Sequence, residues 1–386
     1  MTNHFKILRP VGNPIDITET DIGDNPFSPF HSCLYNSGTA ALAAAIMAIH
    51  KQRPCLDKPG SSNKPEILIP AYGCPDLISA IVYAGAIPVL VDLEPDSPWM
   101  SLEQLRNSIT HRTIAIIAVR FFGLPERYEE LSILAKQHNL VLIEDSAQGF
   151  PVKDPGSYWQ GDFIILSFGR GKPVNLLGGG AVLARDSRLI KLLPEPSPVQ
   201  STFTNKIKYK LKLFLYNQSM HPFAYGLISR SPGLHVGQTI YKPLTTVNNI
   251  PDFTKSLLGA NLRAYQNRKF CQKEYSNIFQ AYGKEQLIDL PVKLAHNMSQ
   301  PLLRYPILVK NYPMRDLLYK KLKSYGASLM YKQPLPQIDN VGNLIKQPNT
   351  NYPNATCLAR QLLTFPTHEA VDNTTLQIIQ RAVKEI

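Results

Sequence analysis

Leu140-Val141-Leu142-Ile143-Glu144-Asp145-Ser146-Ala147-Gln148 and, further on, Phe163-Ile164-Ile165-Leu166-Ser167-Phe168-Gly169-Arg170-Gly171-Lys172 decide the fold. Each stretch begins as a short apolar run of strand length. The first closes on an acid, Asp145. The second opens into a glycine-rich loop that carries Lys172. Strands buried on both faces of a parallel sheet read as near-continuous apolar runs. Open α/β sheets bind their ligands just past the carboxyl ends of such strands. A lysine there can form a Schiff base with a carbonyl cofactor, and an aspartate can hold a pyridinium nitrogen protonated. The pair predicts pyridoxal phosphate.

Outward from these stretches the same rhythm continues. Strands are expected at 66–70, 87–92 and 113–119, and helices at 75–84, 101–109 (Ser101 as N-cap) and 128–138. Small residues at 36–42 lead into the Ala-rich run 43–49, which reads as a loop opening a buried helix. Alternating strands and helices predict a mainly parallel sheet covered by helices. The pattern stops near Arg185. Residues 193–250 are rich in Pro, Lys and aromatics. Helix returns over 257–282, followed by a strand at 305–309 and helices at 314–325 and 372–386. The expected organisation is an N-terminal arm (1–30), a large α/β domain (31–192), a basic and aromatic insertion (193–250) and a smaller α+β C-terminal domain (251–386).

The 386 residues are 44% hydrophobic and only 18% charged, which suits a large core and argues against wholesale disorder. The formal charge of +12 favours acidic or phosphorylated partners. Five cysteines without close pairing fit reduced thiols better than a disulfide framework or a zinc site. No apolar run approaches the length of a spanning helix, and the N-terminus shows no signal core, so a cytoplasmic protein is expected. Nucleic-acid binding motifs are lacking.

Single residues read less sharply. Gly38 and Thr39 open a helix, where backbone N–H groups suit a phosphate, or where an ordinary cap suffices. Asp145 and Ser167 are ligand groups or strand-end and turn residues. Lys172 and Arg170 are site residues or solvated charges on a loop.

Their order and spacing resemble the DegT/DnrJ/EryC1/StrS family of pyridoxal-phosphate aminotransferases, the sugar aminotransferases. The resemblance rests on SGTAAL (37–42), ILIPAY with AGAIPVLVD (67–92), IEDSAQ (143–148), GDFIILSFGRGK (161–172) and GGGAVL (178–183). GANLR (259–263), GASLMY (326–331) and LLTFPTH (362–368) are weaker matches. It implies a fold-type-I transferase in which Lys172 is the Schiff-base lysine and Asp145 the partner of the pyridine nitrogen. Gln148 then lies near the cofactor's 3-hydroxyl, and Gly38, Thr39 and Ser167 bind its phosphate. It also implies a homodimer in which Asn261, followed by Arg263, reaches the phosphate of the neighbouring subunit. Cys74 stands where many members carry an aromatic residue over the cofactor ring, and Tyr72 is the candidate replacement. Pro173 and Gly178 depart from the usual asparagine and glutamate.

The implied activity is ping-pong transfer of an amino group from glutamate or glutamine to a keto or aldehyde acceptor, a nucleotide sugar by default. A PLP-binding regulator without catalysis, or a membrane-surface enzyme acting on an acyl-type substrate, are the alternatives. The insertion bears on the last. Lys206 to Lys212 alternates basic and apolar residues, which predicts a half-buried strand. Residues 200–245 read either as a greasy, basic surface for a membrane or carrier protein, or as a dimer arm or packing layer.

Overall fold

The computed structural model describes residues 7–20, 23, 26–53, 64–199, 202–230, 239–282 and 285–385. Parts of the expected arm (1–6, 21–22 and 24–25), residues 54–63 and parts of the insertion (200–201 and 231–238) lie outside them. A seven-stranded sheet organises the first half. Its strands are β1 (His31–Tyr35), β2 (Glu66–Pro70), β3 (Ile87–Val91), β4 (Thr113–Val119), β5 (Val141–Asp145), β6 (Phe163–Ser167) and β7 (Gly180–Ala184). Their order is β1-β7-β6-β5-β4-β2-β3. The five strands from β3 to β6 run parallel, and β7 is antiparallel to both β6 and β1. β2 and β4 are buried at every residue, as a sheet covered on both faces requires.

Helices α1 (Gly38–Lys51), α2 (Asp76–Tyr83), α3 (Leu102–Ser108), α4 (Tyr128–Gln137), α5 (Pro155–Tyr158) and α6 (Ser187–Lys191) flank the sheet. Ser37 caps α1 by accepting the Ala40 N–H, and the alanines of α1 are buried against the sheet. Ser101 caps α3 as expected.

The insertion is helical, not the strand that its alternation predicts. It holds α7 (Phe203–Ser219) and α8 (Pro222–Arg230). Thr202 caps α7 through the Asn205 N–H. α7 buries Leu213 and Tyr216 on one side while Ile207, Leu211 and Leu215 are exposed on another. Two apolar faces on one helix, with lysines between them, mimic a period of two.

Beyond it, α9 (Asp252–Lys255), α10 (Leu258–Gln266), α11 (Gln272–Tyr282), α12 (Leu290–Lys293), α13 (Tyr312–Leu322), α14 (Pro353–Gln361) and α15 (Asn373–Lys384) surround a second sheet. This sheet is antiparallel and consists of β8 (Leu287–Asp289), β9 (Arg304–Val309) and β10 (Leu362–Pro366), with β9 central. The single helix expected over 257–282 is two helices. Tertiary contacts hold the break: Arg268 donates to the Pro173 carbonyl at 3.1 Å, and the Cys271 N–H to the Thr367 carbonyl at 3.4 Å. Both sheets contribute to one buried apolar cluster, from Ile67 and Ile117 to Ile307 and Phe365.

Candidate active site

One cavity lies past the carboxyl ends of β5 and β6, where open α/β sheets bind their ligands. Three elements supply its polar wall. The start of α1 brings Gly38 and Thr39, the end of β5 brings Asp145, and the β6–β7 segment brings Ser167 and Lys172. Gln148 and Cys74 line it as well.

Gly38 is there because nothing larger fits. A Cβ on it would stand 2.7 Å from the Ser167 Cβ and 2.9 Å from its Oγ. On the other side, a Cβ on Gly180 would stand 2.5 Å from the Gly38 nitrogen. The first turn of α1 is thereby drawn against the end of β6. Helix dipole, glycine backbone and the Ser167 hydroxyl share one corner, which suits an anion.

Asp145 ends β5 half-buried. Its Oδ1 accepts the Ala147 N–H at 2.9 Å. Burial pushes its carboxyl above the usual aspartate range, while that N–H and the Lys172 charge pull it down. Lys172 follows a turn closed by its own N–H to the Gly169 carbonyl at 3.2 Å. The loop after it is fastened from outside. Tyr209 Oη donates to the Leu176 carbonyl at 2.8 Å, and Asn175 Nδ2 donates to Tyr216 Oη at 2.7 Å.

Gln148 is held at both ends of its amide. Its Oε1 accepts the Phe122 N–H at 3.1 Å, and its Nε2 donates to Tyr331 Oη at 3.2 Å. One amide N–H stays available to a ligand. Burial pushes the Cys74 thiol up to about 12, so it is a neutral, soft wall.

The corner, the carboxylate and the lysine fit pyridoxal phosphate: an anion, a basic ring nitrogen and a carbonyl each find a complement. Among the described residues no His, Cys, Asp and Glu cluster could hold a metal ion.

Two expected site residues lie elsewhere. Tyr72 does not line the cavity. It is fully buried behind it, bonds to the Met330 carbonyl at 2.5 Å and packs edge-on against Tyr331. The chain turn at Gly73, with φ +153°, leaves Cys74 as the residue facing the ligand space. Asn261 is buried in α10 and spends its amide within its own chain. Its Oδ1 accepts the Asp16 N–H at 3.0 Å, and its Nδ2 donates to the carbonyls of Asp16 and Leu257, both at 2.8 Å. An amide so committed has no donor left for a phosphate. Arg170 faces a groove beside α7 instead of the cavity.

Besides the apolar wall, two polar lining residues were not singled out in the sequence, Asp76 and Tyr331. Asp76 opens α2 directly after Pro75, a helix-start signature that marks its position but not its outlook. Tyr331 closes the matched stretch GASLMY, and its left-handed backbone, φ 45°, turns the ring to the cavity.

A model of the DegT/DnrJ/EryC1/StrS aminotransferase family matches residues 29–220. GDP-perosamine synthase of Escherichia coli O157:H7 is 32% identical over 180 residues, 46% of each chain, so this match spans about half the length of that relative. The dTDP-4-amino-4,6-dideoxy-D-glucose transaminase of Shigella dysenteriae is 25% identical over 365 residues, 92% of this chain and 85% of its own. NtdA of Bacillus subtilis, solved with bound cofactor PMP, superposes with a TM-score of 0.64 at 16% identity, over 92% of this chain and 73% of its own. That likeness gives the fold-type-I architecture. Motif order, family match and fold agree, and the chain belongs to the DegT/DnrJ/EryC1/StrS aminotransferase family.

Proposed function

We propose that this protein is a pyridoxal-phosphate-dependent aminotransferase. It moves an amino group from an amino-acid donor, glutamate or glutamine, to a keto or aldehyde carbon of a nucleotide sugar or related biosynthetic intermediate. The observation that carries this reading is the convergence of Lys172, Asp145 and the Gly38–Ser167 corner on one cavity. Two relatives named for GDP- and dTDP-linked sugars support the acceptor class. A homodimer belongs to the same reading, and light scattering tests it: a dimer's mass supports it, a monomer's mass removes it.

Bound pyridoxal phosphate supplies an electron sink for a carbanion at the donor's α-carbon. This chain's residues supply the rest. The first turn of α1 and Ser167 Oγ bind the phosphate. Asp145 holds the proton on the ring nitrogen, and a cation there restores the carboxylate that burial disfavours. Gln148, locked by Phe122 and Tyr331, orients the ring with its free N–H. Lys172 Nζ takes the proton from the donor's α-carbon and later returns one to the product carbon. Leu42, Val119 and Ile165 bound the cavity with apolar surface that limits water.

The test is the visible spectrum of the protein with added pyridoxal phosphate, before and after glutamate or glutamine. A visible band that fades with donor and is absent in Lys172→Ala is expected. No band in the wild-type protein overturns the reading. A band that ignores every amino donor leaves a cofactor-binding protein without transaminase chemistry.

A further inference from the structure

We propose that α7 is an interfacial anchor that seats this protein on an anionic lipid bilayer, through its outward apolar stripe and the lysines beside it. The inference stands apart from the catalytic reading.

Phe203, Ile207, Leu211, Phe214 and Leu215 are 79, 51, 57, 58 and 59% exposed. Their helical spacing gathers them into one arc of about 120°. Lys206 and Lys210 stand on one shoulder of the arc, where both reach Glu19, at 3.5 and 3.1 Å. Lys208 and Lys212 stand on the other, beside Arg170 in a groove that Leu211 and Leu215 share. From Pro196 to Pro251 the chain carries Lys206, Lys208, Lys210, Lys212, Arg230 and Lys242, and no Asp or Glu. An apolar arc between cationic shoulders is the pattern of a helix lying in the plane of a bilayer. Among the described residues no helix is long and apolar enough to cross one.

The stripe cannot turn inward to hide. The opposite face of α7 is fixed by Tyr209 to Leu176, Tyr216 to Asn175, and a two-way amide contact between Asn217 and Ile15 at 2.8 and 2.9 Å. A second copy suits the stripe less well. A two-fold contact centred on α7 would set its lysines against the same lysines, and Glu19 is already engaged. Anionic headgroups complement the lysines while the acyl boundary takes the apolar arc.

The experiment is flotation of the cofactor-loaded protein with vesicles of phosphatidylcholine alone or mixed with phosphatidylglycerol, at low and high salt. Binding to the mixed vesicles only, weakened by salt, is expected. Leu211→Glu with Leu215→Glu, and separately Lys208→Glu with Lys212→Glu, should each weaken it about tenfold or more. Their cofactor spectrum and thermal unfolding should match wild type, which excludes misfolding. Wild-type protein that stays off the mixed vesicles overturns the proposal, as do variants that bind like wild type. A leucine variant that instead turns a dimer into a monomer, with no vesicle binding by wild type, assigns the stripe to a second copy. Loss of the cofactor band with intact flotation would sink the catalytic reading alone.

Discussion

Gly38 shows how much of the candidate site rests on a missing atom. Its absent Cβ lets α1 meet Ser167, and alanine there would press on the Ser167 side chain and on the end of β6. Gly38→Ala is expected to weaken pyridoxal-phosphate affinity by on the order of tenfold or more, because the anion corner must open to admit the methyl group. Equilibrium titration of the visible band checks this; wild-type affinity would detach the corner from the phosphate. Asp145 gives a second test, with a sign. Its pKa is raised, so on acidification the empty site protonates earlier than an ordinary aspartate would. Cofactor affinity should therefore fall as pH drops toward the acid range, starting above the usual aspartate pKa. Asp145→Asn should bind on the order of 10- to 100-fold more weakly at neutral pH and lack this acid limb. A variant with the same pH profile as wild type would assign the titration to another group.

At the scale of elements, what the sequence discloses depends on how each element is buried. β2, β4 and β6 are apolar apart from one terminal residue each, Glu66, Thr113 and Ser167, because the sheet is covered on both faces, so their reading is unambiguous; the end of β5 and the loop after β6 then locate Asp145 and Lys172. α7 misleads because it has partners on one side and exposed apolar residues on another, so its pattern belongs to two surfaces at once. The break between α10 and α11 leaves no local mark, since Arg268 and Cys271 are held by contacts distant in sequence, at Pro173 and Thr367. Cys74 lines the cavity while Tyr72 lies behind it, for a backbone reason that periodicity does not encode. Tyr216 tests whether α7 braces the Lys172 loop. Its hydroxyl accepts the buried Asn175 amide, and Tyr216→Phe leaves that donor unpaired, a cost of about 1–3 kcal/mol. A lower thermal midpoint is expected, together with faster proteolytic cleavage within 173–179; an unchanged midpoint would mean that water replaces the tyrosine.

Across the whole molecule, the two sheets and the arm are joined by buried polar contacts that no single segment announces. Leu8 N–H meets the Ser324 carbonyl at 2.9 Å, and buried Arg9 donates to the Gly12 and Met220 carbonyls. His368, just past β10, completes this seam through Nε2 and the Arg9 carbonyl at 2.9 Å. Burial, aided by the Arg9 charge, lowers the His368 pKa from 6.5 to about 3. His296, held to the Gln300 carbonyl at 3.0 Å, is lowered by burial to about 4. Both histidines are neutral when folded at pH 5, whereas their unfolded counterparts are protonated. The unfolded state thus binds more protons, so these two groups remove stability as pH falls below 6.5, and the loss ends only near pH 4 and pH 3. Each contributes a slope of about 1.4 kcal/mol per pH unit within its window. Glu126 opposes them: burial raises it to about 7, so its protonated folded form gains relative stability as pH falls from 7 toward 4.5. Two protons against one leave acidification destabilising between pH 6.5 and 4.5 as far as these three groups decide it. His296→Gln with His368→Gln keeps both Nε2-type donors and removes both titrations. Denaturant unfolding of the double variant between pH 6.5 and 5 should show a pH slope changed from wild type by roughly 2–3 kcal/mol per unit, enough to reverse the sign of the net contribution of these three groups, since Glu126 then acts alone. Identical slopes would mean that both imidazoles already titrate normally, and that the seam between the arm and the second sheet is open to water.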